Sequence, residues 1–483
     1  MIDRAFLDDL RCIVGDDGVV TDPLELLTYE CDALPHLRAS PGAVVLPRSA
    51  ADVQQIVRLC ARAHVPFVPR GHGTGLSGGA LPVAGGVVIA LSRLNRVLDV
   101  DIPNQRVTVE PGVTNLEITR QVAPFGYYYA PDPSSQQVCS IGGNVAENSG
   151  GAHCLKYGFT THHVLALDAV LANGDLVRIG GTFADTPGPD LIGLIVGSEG
   201  TLAVVTSITV RILRRPERVQ TLLAAFDTIE AGGEVVSDII GAGIIPAAVE
   251  IMDAHAIRAA EAAVHPNFPQ SDTVLIVELD GPSAEVEALF DIVEQTCRAR
   301  GARSIEVARD EAQRARIWKG RKAAFAAMGR VSPNYYVQGG VVPRTRLPEV
   351  LNRIRQLEAR SGLRIGNVFH AGDGNLHPLI CYDERVPGEA DRAVEVAAEI
   401  LSYCIDAGGS LTGEHGIGAD KSAYMPQMFS ADDLALMQRV RAAFDPDGLC
   451  NPGKVFPTPR LCGEVPGPYR EHPLEKAGVA ERW

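Results

Sequence analysis

The segment RGHGTGLSGGALP, Arg70 to Pro82, restricts the fold of this chain more than any other. It carries glycines at 71, 73, 75, 78 and 79. With no Cβ in the way, its backbone amides can turn together toward one bound group, as in an anion nest. The spacing is neither a G-x-G-x-x-G opening a helix nor a G-x-x-x-x-G-K-[ST] loop. The preferred reading is a nest for a dinucleotide pyrophosphate outside a Rossmann frame, and the alternative is a structural glycine turn. A second block, Tyr127 to Gly158, is glycine-rich and dense in small polar residues. A surface loop of that length without a function would be unusual. It reads as the second wall of the same cleft. Ser134 and Ser135 offer hydroxyls there, Gly142 and Gly143 offer amides, and Asn144 and Asn148 share a helix face.

Around these blocks the pattern alternates. In ADVQQIVRLCARAH, residues 51–64, Val53, Ile56, Val57 and Cys60 recur at helical spacing. The runs GVVIAL, VLDVDI and QRVTVEPG then read as strands, which makes this region α+β. Arg214-Arg215-Pro216 reads as a boundary. Beyond it, strands such as LLAAF and DTVLIVELDG alternate with amphipathic helices, as in a second α/β domain. The expected division is 1–216, 217–445, a return segment over 446–460 and a tail over 461–483.

The chemistry-bearing residues fall late in the chain. GNVFHAGDGNLH places His370 and His377 in a glycine-rich frame, and TGEHGIG sets Glu414 beside His415. His370, His377 and Glu414 form a plausible N2O1 set for zinc or another first-row divalent ion, such as manganese or iron. His415 is left over as a base. A polar turn with ordinary surface histidines is the other reading. On the helix 311–328, Arg321 lies three residues after Trp318, where it can stand beside the indole and face a carboxylate, or simply be exposed.

The formal net charge of −15 argues against nucleic acid as a partner. No apolar run reaches transmembrane length, and the N-terminus lacks the apolar core of a signal peptide. The 10 cysteines show no C-x-x-C or iron–sulfur spacing. Reduced thiols in a cytoplasmic protein are the expectation.

Several blocks together carry a family resemblance. PRGHGTGLSGG, PDPSS with IGGNVAENSGG, and GSEGTLAVVT resemble the flavin domain of the vanillyl-alcohol oxidase type. HAGDGNLH, GEHGIG and DPDGLCNPGK resemble the C-terminal domain of FAD-linked 2-hydroxyacid oxidases and dehydrogenases. The resemblance spans residues 20–458. It implies an α+β fold, with a two-subdomain FAD-binding domain followed by an α/β, ferredoxin-like substrate or cap domain. It implies FAD rather than a nicotinamide. The substrate would be a small 2-hydroxy acid, with glycolate first, then D-lactate or D-2-hydroxyglutarate.

Residue by residue, Pro69, Arg70, Gly71, His72, Gly73, Thr74, Gly75, Gly78 and Gly79 resemble the family's pyrophosphate loop. Pro131, Asp132, Ser134 and Ser135, with Gly142, Gly143, Asn144, Asn148, Gly150 and Gly151, resemble the segments along the flavin and its ribityl chain. Glu199, Gly200 and Val205 resemble the part near the adenine side, and Asn451 belongs to the closing motif. His370, His377 and Glu414 fall on the family's metal ligands, His415 on its base, Arg321 near its carboxylate-binding arginine, and Asn375 where it can bind substrate or orient a ligand. Thr74 stands where some relatives link the flavin covalently, so FAD is expected to be non-covalent. Gly339 stands where the family often has an aspartate. The resemblance also implies a second flavin-domain-like subunit and an iron–sulfur subunit, which would bring a cytoplasmic chain to the inner face of the membrane. Rival readings are a flavin-bearing assembly subunit and a metallohydrolase.

Overall fold

A computed structural model describes residues 2–181 and 188–457. The expected tail, 461–483, and the end of the return segment lie outside the described residues.

Two sheets are built before Arg214. In the first, of four strands, the parallel strands 43–45, 87–90 and 67–70 lie side by side, with 19–20 antiparallel at the edge. Ser49 caps the helix Ala50–Ala63 by accepting from Asp52 N. That helix presses Val53, Ile56, Val57 and Cys60 onto this sheet, the stripe its spacing predicts. The second sheet has five antiparallel strands, ordered 97–101, 106–109, 203–211, 164–171 and 176–180.

A third sheet, of nine strands, begins at Arg218. Its long strands 218–226, 273–281, 248–253 and 365–370 pair antiparallel. These strands are apolar almost throughout because helices cover both faces. Leu222, Leu275, Val249 and Phe369 enter the core on one face, and Leu223, Ile276, Met252 and Val368 the core on the other. The two-residue alternation therefore sends Glu250, Glu278 and His370 to the second face, the one covered by the helix Glu311–Ala327.

The chain then returns to the N-terminal half. Asp445 Oδ1 and Oδ2 accept from Leu449 N and Cys450 N, and the turn they hold feeds a short parallel bridge from Cys450 to Phe67. Asn451 Nδ2 donates to Gly79 O at 2.9 Å and Glu199 O at 2.7 Å.

The two halves also meet through a buried charged cluster. His153 lies 3.0 Å from Asp132 and 3.2 Å from Glu278, while Arg314 and the Trp318 indole donate to Glu278. Burial by itself would lower the His153 pKa, but Asp132 and then Glu278 outweigh it and raise the imidazole to about 10. Because the folded value exceeds the ordinary 6.5, this stabilisation is complete below about pH 6.5 and is lost as pH rises through about 10. The thermal midpoint of the wild-type protein should fall by several degrees across that window. A His153→Phe variant, followed by circular dichroism during heating, should lack that step.

Candidate active site

Between the halves lies a cleft of about 590 Å3. Pro69, Arg70, Gly71, His72, Gly73, Thr74, Gly75 and Gly79 line it from the first glycine loop. Ser134, Ser135, Gly142, Gly143 and Asn144 line it from the second block, and Glu199, Gly200 and Val205 from the third. His370, His377, Glu414 and His415 close its other end.

The second block is not the open loop its composition suggests. Residues Ile141–Glu147 form a short helix, with the Ser140 hydroxyl accepting from Gly143 N. Gly142 packs so close to Pro111 that a Cβ there would lie 2.6 Å from the proline Cβ. Small residues in this stretch serve packing as well as ligand approach, which composition does not distinguish.

Several expected cofactor residues stand behind the wall. Gly78 N donates to Asp32, and Pro131 O accepts from Asn115. The Asp132 carboxylate is engaged by His153. Asn148 does not share a helix face with Asn144, because it ends the helix in the left-handed conformation and accepts from Thr161 N. Gly150 packs against Phe159 and Glu414, Gly151 against the backbone of Asp132, and Asn451 ties two loops together.

The histidine cluster depends on short connections. His370 ends the strand 365–370, and the tight turn after it pairs His370 with Asn375. His377 Nε2 lies 2.9 Å and His370 Nε2 3.2 Å from the same Glu414 oxygen. Ligand atoms of the three residues fall within 4.8 Å of one another. Neither ring nitrogen of His377 has a hydrogen-bond partner among the described residues, despite that close approach. Such convergence without hydrogen-bonding geometry fits a set of metal ligands. His415 stacks on His377 with centroids 4.7 Å apart.

Electrostatics assign different states to these groups. Burial would raise the Glu414 pKa, but His370 and His377 hold it well below the usual carboxylate range. Burial would lower His370, but Glu250 and Glu414 bring it to about 10. His415 is pushed well below its ordinary value, first by burial and then by His377, so it is neutral near pH 7.

The loop carrying Glu414 and His415 is fixed by the other half of the molecule. Glu199 accepts from Ile417 N and Gly418 N at 2.6 Å each. Gly416 directly precedes them at φ 86°, and a Cβ there would be 2.9 Å from Glu199 Oε1. Gly339 leaves room for His415, since a Cβ at that position would sit 2.7 Å from His415 Nδ1.

Two expected catalytic residues face elsewhere. Arg321 does not line the cleft and is 2 % exposed, its guanidinium paired with Glu250. One helical position on, Lys322 reaches the cleft instead, with Phe325 and Tyr335. Asn375 is buried against Gly413, beneath the Glu414 loop, and does not line the cleft. Sequence reasoning missed Lys322 because neighbouring cations on a helix are indistinguishable without knowing its covered face. Glu250 and Glu278 left a fainter signal, single carboxylates inside otherwise apolar strand runs.

Comparison with known proteins bears on the whole chain. Residues 41–180 match the family described as "FAD binding domain", and residues 215–455 match "FAD linked oxidases, C-terminal domain". The chain is 48 % identical over 449 residues to "Glycolate oxidase subunit GlcD" of Escherichia coli (strain K12), covering 93 % of this chain and 90 % of that protein. It is 39 % identical to the protein of the same name from Bacillus subtilis, covering 94 % and 97 %. Its fold is similar to that of 4-ethylphenol oxidase from Gulosibacter chungangensis, with TM-score 0.80 at 19 % identity over 94 % of this chain and 97 % of that one. The chain belongs to the FAD linked oxidases and is an FAD-dependent oxidoreductase.

Proposed function

We propose that this protein oxidises a small 2-hydroxy acid, glycolate first, to the 2-oxo acid, as the flavin-bearing catalytic subunit of a larger complex. D-lactate and D-2-hydroxyglutarate are the competing substrates. The observation that carries the reading is one cleft lined at one end by three glycine-rich segments and at the other by His370, His377, Glu414 and His415.

The residues fit both groups that the reading requires. The glycine loop and the segments around Ser134, Gly142 and Glu199 form a continuous lining for FAD. His72 Nδ1 contacts Val138 O and Thr74 offers no ring nitrogen, which favours non-covalent binding. His370, His377 and Glu414 would hold a divalent cation, and the convergence of their ligand atoms within 4.8 Å supports that role. The chemistry supplied by bound FAD is acceptance of a hydride equivalent, and that supplied by a bound cation is polarisation of the substrate oxygens.

The protein's own residues do the rest. Lys322 meets the substrate carboxylate, being the lysine or arginine that lines the cleft on the histidine side. His415, neutral through burial, takes the hydroxyl proton on its imidazole as the carbon loses hydride. Phe325 packs edge-on to His377 at 5.9 Å and limits the space for a substituent on that carbon. A dicarboxylate would need a second cation there, and the other lysine or arginine lining the cleft among the described residues is Arg70, whose guanidinium donates to Ala80 O and lies over the Tyr29 ring.

Electrons must leave the reduced flavin. The nine free cysteines among the described residues form no metal-type cluster, and no helix among those residues is long and apolar enough to cross a membrane. We assign the relay to an iron–sulfur subunit, with a second flavin-domain-like subunit, in a complex at the inner face of the membrane.

Anaerobic mixing with glycolate should bleach bound flavin, faster than with either lactate enantiomer or D-2-hydroxyglutarate. Failure of every 2-hydroxy acid to bleach it would favour an assembly role. His415→Ala should retain FAD yet slow reduction by about 10²–10⁴-fold. Near-normal reduction would remove His415 as the base. Lys322→Met should raise KM for glycolate by about tenfold or more with a smaller change in kcat, measured with an artificial acceptor.

A further inference from the structure

Glu250 is fully buried in the strand Ala248–Asp253, directly opposite His370 on the neighbouring strand. Its Oε1 lies 2.7 Å from His370 Nδ1. Its Oε2 accepts from Arg321 Nε at 2.7 Å and lies 2.5 Å from Nη2. The three side chains thus run from the helix Glu311–Ala327, through the sheet face, to the end of the cleft. A buried carboxylate in an apolar strand is costly unless paired, so a lone Glu250 would not be tolerated there.

We infer that Glu250 is a positioning residue for the His370 side chain, with Arg321 holding the Glu250 carboxylate in place. This rests on the reading of His370, His377 and Glu414 as metal ligands. The carboxylate accepts from Nδ1–H, which leaves Nε2, 3.2 Å from the Glu414 oxygen, as the nitrogen that gives up its proton when a cation is bound. Arg321 holds the carboxylate through Nε–H and neutralises its charge. Strand register sets this unit: a shift of one residue would turn both Glu250 and His370 to the opposite face.

The test uses the full chain loaded with FAD, titrated with zinc against a chromophoric chelator, with flavin absorbance reporting occupancy. Glu250→Gln should keep its flavin and bind zinc about 10–100-fold more weakly. Arg321→Met should weaken zinc as well. The double variant Glu250→Gln/Arg321→Met leaves no stranded charge, and its loss should be smaller than the sum of the single losses. In zinc-loaded wild-type protein with nitrogen-15-labelled histidine, His370 should carry its proton on Nδ1 alone, with Nε2 shifted from its position in zinc-free protein. That measurement decides the matter if a variant does not fold.

Wild-type zinc affinity in Glu250→Gln and in the double variant, with flavin retained, would overturn the inference alone. So would the opposite His370 tautomer in zinc-loaded protein, or unchanged zinc affinity in Arg321→Met. Wild-type protein that binds no zinc would overturn the inference and the metal reading together.

Discussion

The contact between Glu199 and the amides of Ile417 and Gly418 is where the two halves of the molecule become one site. Glu199 belongs to the turn that closes the cleft in the N-terminal half, while those amides follow directly on Glu414 and His415. Hydrogen bonds to a buried carboxylate contribute roughly 1.5–3 kcal/mol each. Here they also determine where an imidazole and a ligand oxygen point. Burial lifts Glu199 to about 7 against the pull of the two amides, and it lifts the neighbouring Glu147 well above its usual range, with Glu199 adding to it. One charge is thereby kept off a crowded spot, and Gly416 supplies the room both carboxylates need.

The same economy of charge recurs across the interface. His153 is shared by a carboxylate from each half, and Lys156 reaches Asp280. Each of these groups is paired with a partner from a distant part of the sequence, as buried charge requires. The active-site end of the cleft is therefore assembled by docking, and the strands beneath it provide rigid, register-fixed anchor points. Strand alternation alone explains why Glu250, Glu278 and His370 share a face with the helix bearing Trp318 and Arg321.

Much of this was legible beforehand. The glycine loop at Arg70 and the helix 50–63 follow from local chemistry that acts within a few residues. Arg321 and Lys322 show where local reasoning fails. They are adjacent cations on one helix, and only the way it packs on the sheet sends one to a buried carboxylate and the other to the cleft. The second glycine-rich block reads as loop by composition, yet Ser140 and a close approach to Pro111 make part of it a helix.

The sequence by itself determined the family, the FAD cofactor, the α+β architecture, and which histidines and which glutamate would gather, because these depend on ordered motifs and on periodicity along the chain. Tertiary structure alone decided the pairing of Glu250 with His370 and Arg321, the opening of Lys322 onto the cleft and the anchoring of the His415 loop by Glu199. The physical reason is that hydrogen bonds and buried ion pairs act over about 3 Å. Residues more than a hundred positions apart reach that distance only after the strands have chosen their register and the halves have closed.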